Sequence, residues 1–144
     1  MFLHLPVAIV AIHLAVAPGI PSRIVREARQ EAARVLASAH IQIVWVDAPG
    51  LQMEITGNEL HGVARDAVGL AALSQQGSRA TISWPEVRRA AAETDTDPEV
   101  VLAAAMAHEI GHLLFGPAHR PTGIMSRHFG RKEMLLAMRG ELLF

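Results

Sequence analysis

The chain has 144 residues, a net charge of −1 and no cysteine; 51% of it is hydrophobic and 19% charged. Such a composition excludes a disordered chain, a collagen and two ordinary domains, and fits one domain spanning residues 1–144. Without thiols, disulfides, thiolate metal clusters and cysteine nucleophiles are excluded. The near-neutral charge argues against a nucleic-acid partner. Aromatic residues make up 4% with no tyrosine, so the core must be aliphatic and alanine-rich. Eight histidines stand out, three of them between His108 and His119.

The first 22 residues carry no Lys, Arg, Asp or Glu. Pro6, His13, Pro18 and Gly19 interrupt this stretch and leave an apolar run too short to span a membrane stably. Ala15-Val16-Ala17 resembles the cleavage site of an export signal, which would make the protein an exported one. No Lys or Arg precedes the apolar stretch, however, which favours a first strand and a cytoplasmic protein. Val7–Ala17 is apolar nearly throughout, as expected of a strand covered on both faces.

Pro18-Gly19 turns the chain, Ser22 is a candidate N-cap, and Ile24, Val25, Ala28, Ala32, Val35, Leu36 and Ala39 recur at helical spacing. Ile41–Val46 reads as a second strand, stopped by Asp47-Ala48-Pro49-Gly50. Leu51, Met53 and Ile55 alternate with Gln52, Glu54 and Thr56, the pattern of a half-buried third strand. Gly69–Leu73 and Arg79–Trp84 read as two short strands, and Pro85 leads into a helix over Glu86–Ala92. Asp97, Pro98 and Glu99 open the next helix and Gly116-Pro117 close it. Val100–Ala107 is apolar all round, which buries that helix in the middle of the domain. A last helix is expected around Arg131–Leu143. The strand–helix–strand start predicts a right-handed crossover between parallel strands. The class is therefore α+β, with one mixed twisted sheet, a buried central helix and a C-terminal helix.

His108-Glu109-Ile110-Gly111-His112 lies on the buried helix. Residues four apart share a helix face, about 6 Å apart along the axis, so both imidazoles can converge on one zinc ion. Glu109 then reaches the water that the metal activates, as its proton acceptor and donor. Chance alone would produce His-Glu-x-x-His in roughly 3% of shuffled chains. A buried helix carrying these side chains without a metal would leave polar groups unsatisfied at a cost of several kcal/mol. Gly111 costs about 1 kcal/mol within a helix relative to alanine, which implies that another backbone packs closely there.

The sequence continues Leu113-Leu114-Phe115-Gly116-Pro117-Ala118-His119-Arg120-Pro121-Thr122-Gly123-Ile124-Met125. Over His108–Met125 this resembles the metzincin branch of the zinc metallopeptidases, whose motif is His-Glu-x-x-His-x-x-Gly-x-x-His followed by a methionine turn. The string also resembles small uncharacterised bacterial metalloproteases. Here three residues rather than two separate His112 from Gly116, and His119 comes one place late. The resemblance implies a zincin-like fold and one catalytic zinc on His108, His112 and His119. It also implies Glu109 as the catalytic residue, Met125 as a floor under the metal, and a peptide or protein substrate. It further implies that an edge strand beside the cleft, here Arg79–Trp84, pairs with extended substrate.

Several residues remain as alternatives. Glu133 or Glu141 could replace His119 as third ligand, and His128 could line the cleft. Arg120, Arg127 or His128 could assist an oxyanion, since no tyrosine is present for that role. His61 reads as a surface residue, and His4, His13 and His40 as structural ones. Two other functions compete with peptide hydrolysis. One is a zinc endoribonuclease-like hydrolase of similar size, which Glu109 and the charge of −1 disfavour. The other is a zinc-stabilised binding module without turnover.

Overall fold

The computed structural model describes residues 6–61, 67–73 and 77–144; His4 lies outside them. Nine elements follow one another among these residues: β1 (Ala8–Val16), α1 (Ser22–Ala37), β2 (Ile41–Trp45), β3 (Leu51–Thr56), β4 (Gly69–Ala72), β5 (Arg79–Ser83), α2 (Trp84–Thr94), α3 (Pro98–Phe115) and α4 (Arg131–Met138). The strands form one mixed sheet in the order β2-β1-β3-β5-β4. β1, β2, β3 and β5 run parallel, and β4 pairs antiparallel with β5. The class is α+β, and the β1–α1–β2 start joins parallel strands as expected.

β1 is shared along its length. Its first half pairs with β2, from Ala8↔Ile41 to Ile12↔Trp45, and its second half with β3, from Ile12↔Leu51 to Val16↔Ile55. The short link after β2 must therefore carry the chain across β1. Val46 N–H donates to Ile12 O at 2.9 Å, and the link returns with Gly50 lying against β1. A Cβ on Gly50 would stand 2.7 Å from Ala11 O, so only glycine passes there without displacing backbone.

Hydrophobic burial explains the layers. α1 and α3 pack against each other and onto one face of the sheet. Between them and the strands lie Ile12, Leu36, Met53, Ile55, Ile82, Leu102, Met106 and Ile110, all fully buried. Alanines on both helices are buried, Ala28 and Ala32 on α1 and Ala103, Ala104, Ala105 and Ala107 on α3. The core is aliphatic and alanine-rich, as the composition requires.

Five sequence expectations need correction. The apolar β1 is not covered on both faces, because the helices occupy only one. Ile9, Val44 and Leu70 on the other face are 69%, 38% and 44% exposed. On that face His13 Nδ1–H donates to Gln52 Oε1 at 3.2 Å. Second, Arg79–Trp84 is not an edge strand. β5 is internal with Ala80, Ile82 and Ser83 buried, Trp84 starts α2, and the edge is β4. Third, the last helix stops at Met138, because Gly140 at φ +71° leaves the helical path and the segment after it packs as a tail. Fourth, Pro21 and not Ser22 occupies the N-cap of α1. α2 is also longer than expected, since Ser83 Oγ caps it by accepting from Glu86 N–H at 3.3 Å.

Among the described residues no helix is long and apolar enough to cross a membrane. The stretch read either as a strand or as a cleavable segment contributes β1, hydrogen-bonded on both sides. Gly50→Ala is expected to lower stability by about 1–3 kcal/mol in denaturant unfolding, the range for forced overpacking. An unchanged midpoint would contradict the crossing at Ala11.

Candidate metal centre

α3 opens with Pro98 as its first residue and Glu99 in its first turn, both suited to a helix N-terminus. From Val101 to His112 every residue is buried, so the helix is a fixed axle through the domain. Gly116 ends it at φ +94°, a conformation that side chains resist, and its N–H donates to His112 O at 3.0 Å. The chain then doubles back through a tight loop. Arg120 N–H donates to Met125 O at 2.9 Å and Ser126 N–H to Gly123 O at 3.1 Å.

That loop returns His119 to the helix. His112 Nε2 lies 3.0 Å from His108 Nε2 and 3.2 Å from His119 Nε2. One nitrogen from each of the three lies within 4.8 Å of the others. Nitrogens held tetrahedrally at about 2.0–2.1 Å from one ion would stand roughly 3.3 Å apart. The three histidines thus lie within metal-binding distance and could hold one metal ion.

Backbone carbonyls decide which nitrogen each helical imidazole offers. His108 Nδ1–H donates to Ile124 O at 2.7 Å, and His112 Nδ1–H donates to Gly116 O at 2.9 Å. A carbonyl only accepts, so Nδ1 carries a proton, and in the neutral ring Nε2 then presents a lone pair. Such outer partners fix tautomer and ring orientation at metal sites. Burial, above all, holds His108 down to about 4; the Ile124 carbonyl opposes the shift, and His112 and His119 add to it. His119 is exposed, and it too is lowered, by partial burial first and then by His112 and Arg127.

Glu109 is 5% exposed, and its Oε2 has no hydrogen-bond partner among the described residues. Burial pushes its carboxyl up to about 7. Beside it opens a cavity of about 500 Å³. β4 and the preceding Val68 form one wall, Arg127, His128 and Phe129 another, and Ala90, Val101, Ala105 and Met134 the apolar floor.

Met125 is buried against α3 at Gly111, where a Cβ would collide with its sulfur. The close approach inferred from Gly111 is real, although a side chain and not backbone makes it. Phe144 Cε1 also lies 3.3 Å from that position, and Leu143 O accepts from Ile124 N–H at 2.8 Å. The tail after α4 therefore braces the very residue whose carbonyl holds His108.

Among the alternatives, Glu133 caps α4 by accepting from Gly130 N–H at 3.0 Å, and neither it nor Glu141 joins the histidine cluster. His128 and Arg127 line the cavity, whereas Arg120 does not. His61 and His40 are exposed, the latter at φ +60° in the turn between α1 and β2. Sequence reasoning missed the carbonyls of Ile124 and Gly116 and the contribution of β4. Backbone acceptors carry no residue signature, and no spacing rule points to them. No family model matches the chain, and no curated protein matches it significantly.

The two buried groups give the metal-free chain a two-sided pH dependence. Glu109, raised from 4.5 to about 7, contributes stability that is full below pH 4.5 and is lost as pH rises through 7. His108, lowered from 6.5 to about 4, contributes stability that is present above pH 6.5 and is lost as pH falls through 4. Glu109→Gln removes the ionisable group. It is expected to stabilise chelator-treated protein at pH 8 by on the order of 3 kcal/mol, or roughly 5–10 °C, and by less than about 1 kcal/mol at pH 5. Equal melting shifts at both pH values would contradict a carboxyl that titrates while buried.

Proposed function

We propose that the chain is a zinc-dependent peptidase of metzincin-like build, with zinc on His108, His112 and His119 and Glu109 as the proton carrier. The observation that carries this reading is the convergence of three imidazole nitrogens beside a buried carboxyl with an unpartnered oxygen. The donor set fits the ion: three imidazoles without thiolate are a catalytic rather than a structural set, leaving a fourth position open. The element order supports the resemblance, since strand, helix, strand and strand lead into the helix that carries the motif.

Zinc supplies, when bound, a Lewis acid that polarises a carbonyl and lowers the pKa of water to about 7. Glu109 accepts the proton of the attacking water and passes it to the nitrogen of the leaving amine. A carboxyl buried beside the three histidines, at the edge of the cavity, is placed for both halves of that transfer. β4 is a sheet edge at the wall of the cavity, so its backbone can pair with an extended peptide as an added strand. The floor of Ala90, Val101, Ala105 and Met134 accepts an apolar side chain. Arg127 and His128 stand on the other wall, where a developing oxyanion would find a donor.

Metal analysis and a peptide-library cleavage screen test the reading together. The protein is expected to bind one equivalent of zinc and to lose cleavage on chelation. Glu109→Gln should keep the zinc and lose roughly 10²–10⁴-fold in kcat, the usual contribution of a positioned acid–base group. His119→Ala should weaken zinc binding. A zinc-loaded protein that cleaves no peptide, or a Glu109→Gln variant as active as the parent, would overturn it.

A further inference from the structure

Gly69 opens β4, a four-residue edge strand, and nothing in its backbone conformation calls for glycine. Its φ lies outside the left-handed region, so any residue could adopt it. Glycine weakens a strand, and within one it commonly marks a place where another group approaches closely. Here that group is Glu109. A Cβ on Gly69 would stand 2.9 Å from Glu109 Cγ, 2.9 Å from Oε1 and 3.1 Å from Cδ. Real Cβ atoms do not come that near.

The clash involves the stem of the side chain as well as its tip. Cγ moves only by rotation about Cα–Cβ, and on a helix one of its three staggered positions clashes with the preceding turn. Glu109 is 5% exposed on a helix buried from Val101 to His112, so the room its carboxyl has to move is the cavity it lines. A side chain at position 69 would have to push the carboxyl along the cleft or lift β4 from the helix.

We propose that Gly69 is a positioning residue for Glu109: its missing side chain is the slot in which the carboxyl lies against the edge-strand backbone. The consequence for catalysis rests on the reading of Glu109 as proton carrier. A peptide laid along the free edge of β4 would run beside the strand that seats the carboxyl, so one backbone segment sets both positions. Gly69 acts through Glu109 and touches no reacting atom.

A double-substitution cycle in the full chain tests this, using Gly69→Ala, Glu109→Ala and the pair. In chelator-treated protein, Gly69→Ala is expected to lower the melting temperature by several degrees. In the Glu109→Ala background that loss should vanish, because the colliding atoms are gone. An equal loss in both backgrounds would overturn the proposal and make Gly69 a matter of strand packing alone. If Gly69→Ala does not fold, recovery of folding in the double variant supports the proposal, and failure to recover contradicts it.

Kinetics of the zinc-loaded protein supply a second readout. Gly69→Ala should lower kcat at least tenfold with KM within about twofold and zinc stoichiometry unchanged. A matched loss of zinc would instead show a damaged fold and count against the proposal. If the parent protein cleaves nothing, the peptidase reading fails, while the melting cycle still decides whether Gly69 seats the carboxyl.

Discussion

Two hydrogen bonds from imidazole to backbone organise the centre of this molecule. His108 Nδ1–H is held by Ile124 O and His112 Nδ1–H by Gly116 O. Each turns an Nε2 toward the same point, and the loop returns His119 Nε2 to that point. Nitrogen lone pairs facing one another at 3.0 and 3.2 Å repel unless a proton or a cation lies among them. The arrangement therefore makes electrostatic sense around a metal ion, and zinc is the ion proposed for it. Both carbonyls belong to the chain beyond the helical histidines, so the site depends on how α3 ends and on how the loop after it is pinned.

The remainder of the fold supplies that pinning. α3 cannot shift, because sheet and helices bury it through twelve residues from Val101 to His112. The loop is braced from below, where Met125 rests on Gly111 and Leu143 O holds Ile124 N–H. Arg34 of α1 donates to Gly140 O at 3.0 Å and ties the start of that tail to the first helix. A ring orientation in the histidine cluster is thus linked through Ile124 to residues at positions 140–144. Burial that rigidifies the histidines also raises Glu109 to about 7. The cost of a buried carboxyl whose Oε2 has no hydrogen-bond partner among the described residues is one that functional sites commonly carry.

Much of the site was legible because its grammar is local. Asp97-Pro98-Glu99 and Gly116-Pro117 bound α3, and a four-residue spacing places His108 and His112 on one face whatever surrounds the helix. His119 needed a loop to bring it back, and the glycine at the break permits that return. The features that sequence did not reveal depend on contacts distant along the chain. β4 and β5 are both short and of mixed composition, so which one lies at the edge follows from pairing with β3. The apolar run of β1 could not disclose that its second face carries no helix. The last helix was read too long because apolar residues continue past Met138, and they serve instead to pack a tail against the turn at Ile124. Gly69 carried no signal at all until Glu109 was seen against it.

The central claim is that His108, His112 and His119 together hold one zinc ion with a fourth position open. X-ray absorption spectroscopy of the zinc-loaded protein addresses it directly. Three imidazole nitrogens and one oxygen at about 2.0–2.1 Å are expected, with one imidazole fewer after His119→Ala. A first shell with fewer than three imidazoles, or a spectrum that His119→Ala leaves unchanged, would contradict the account.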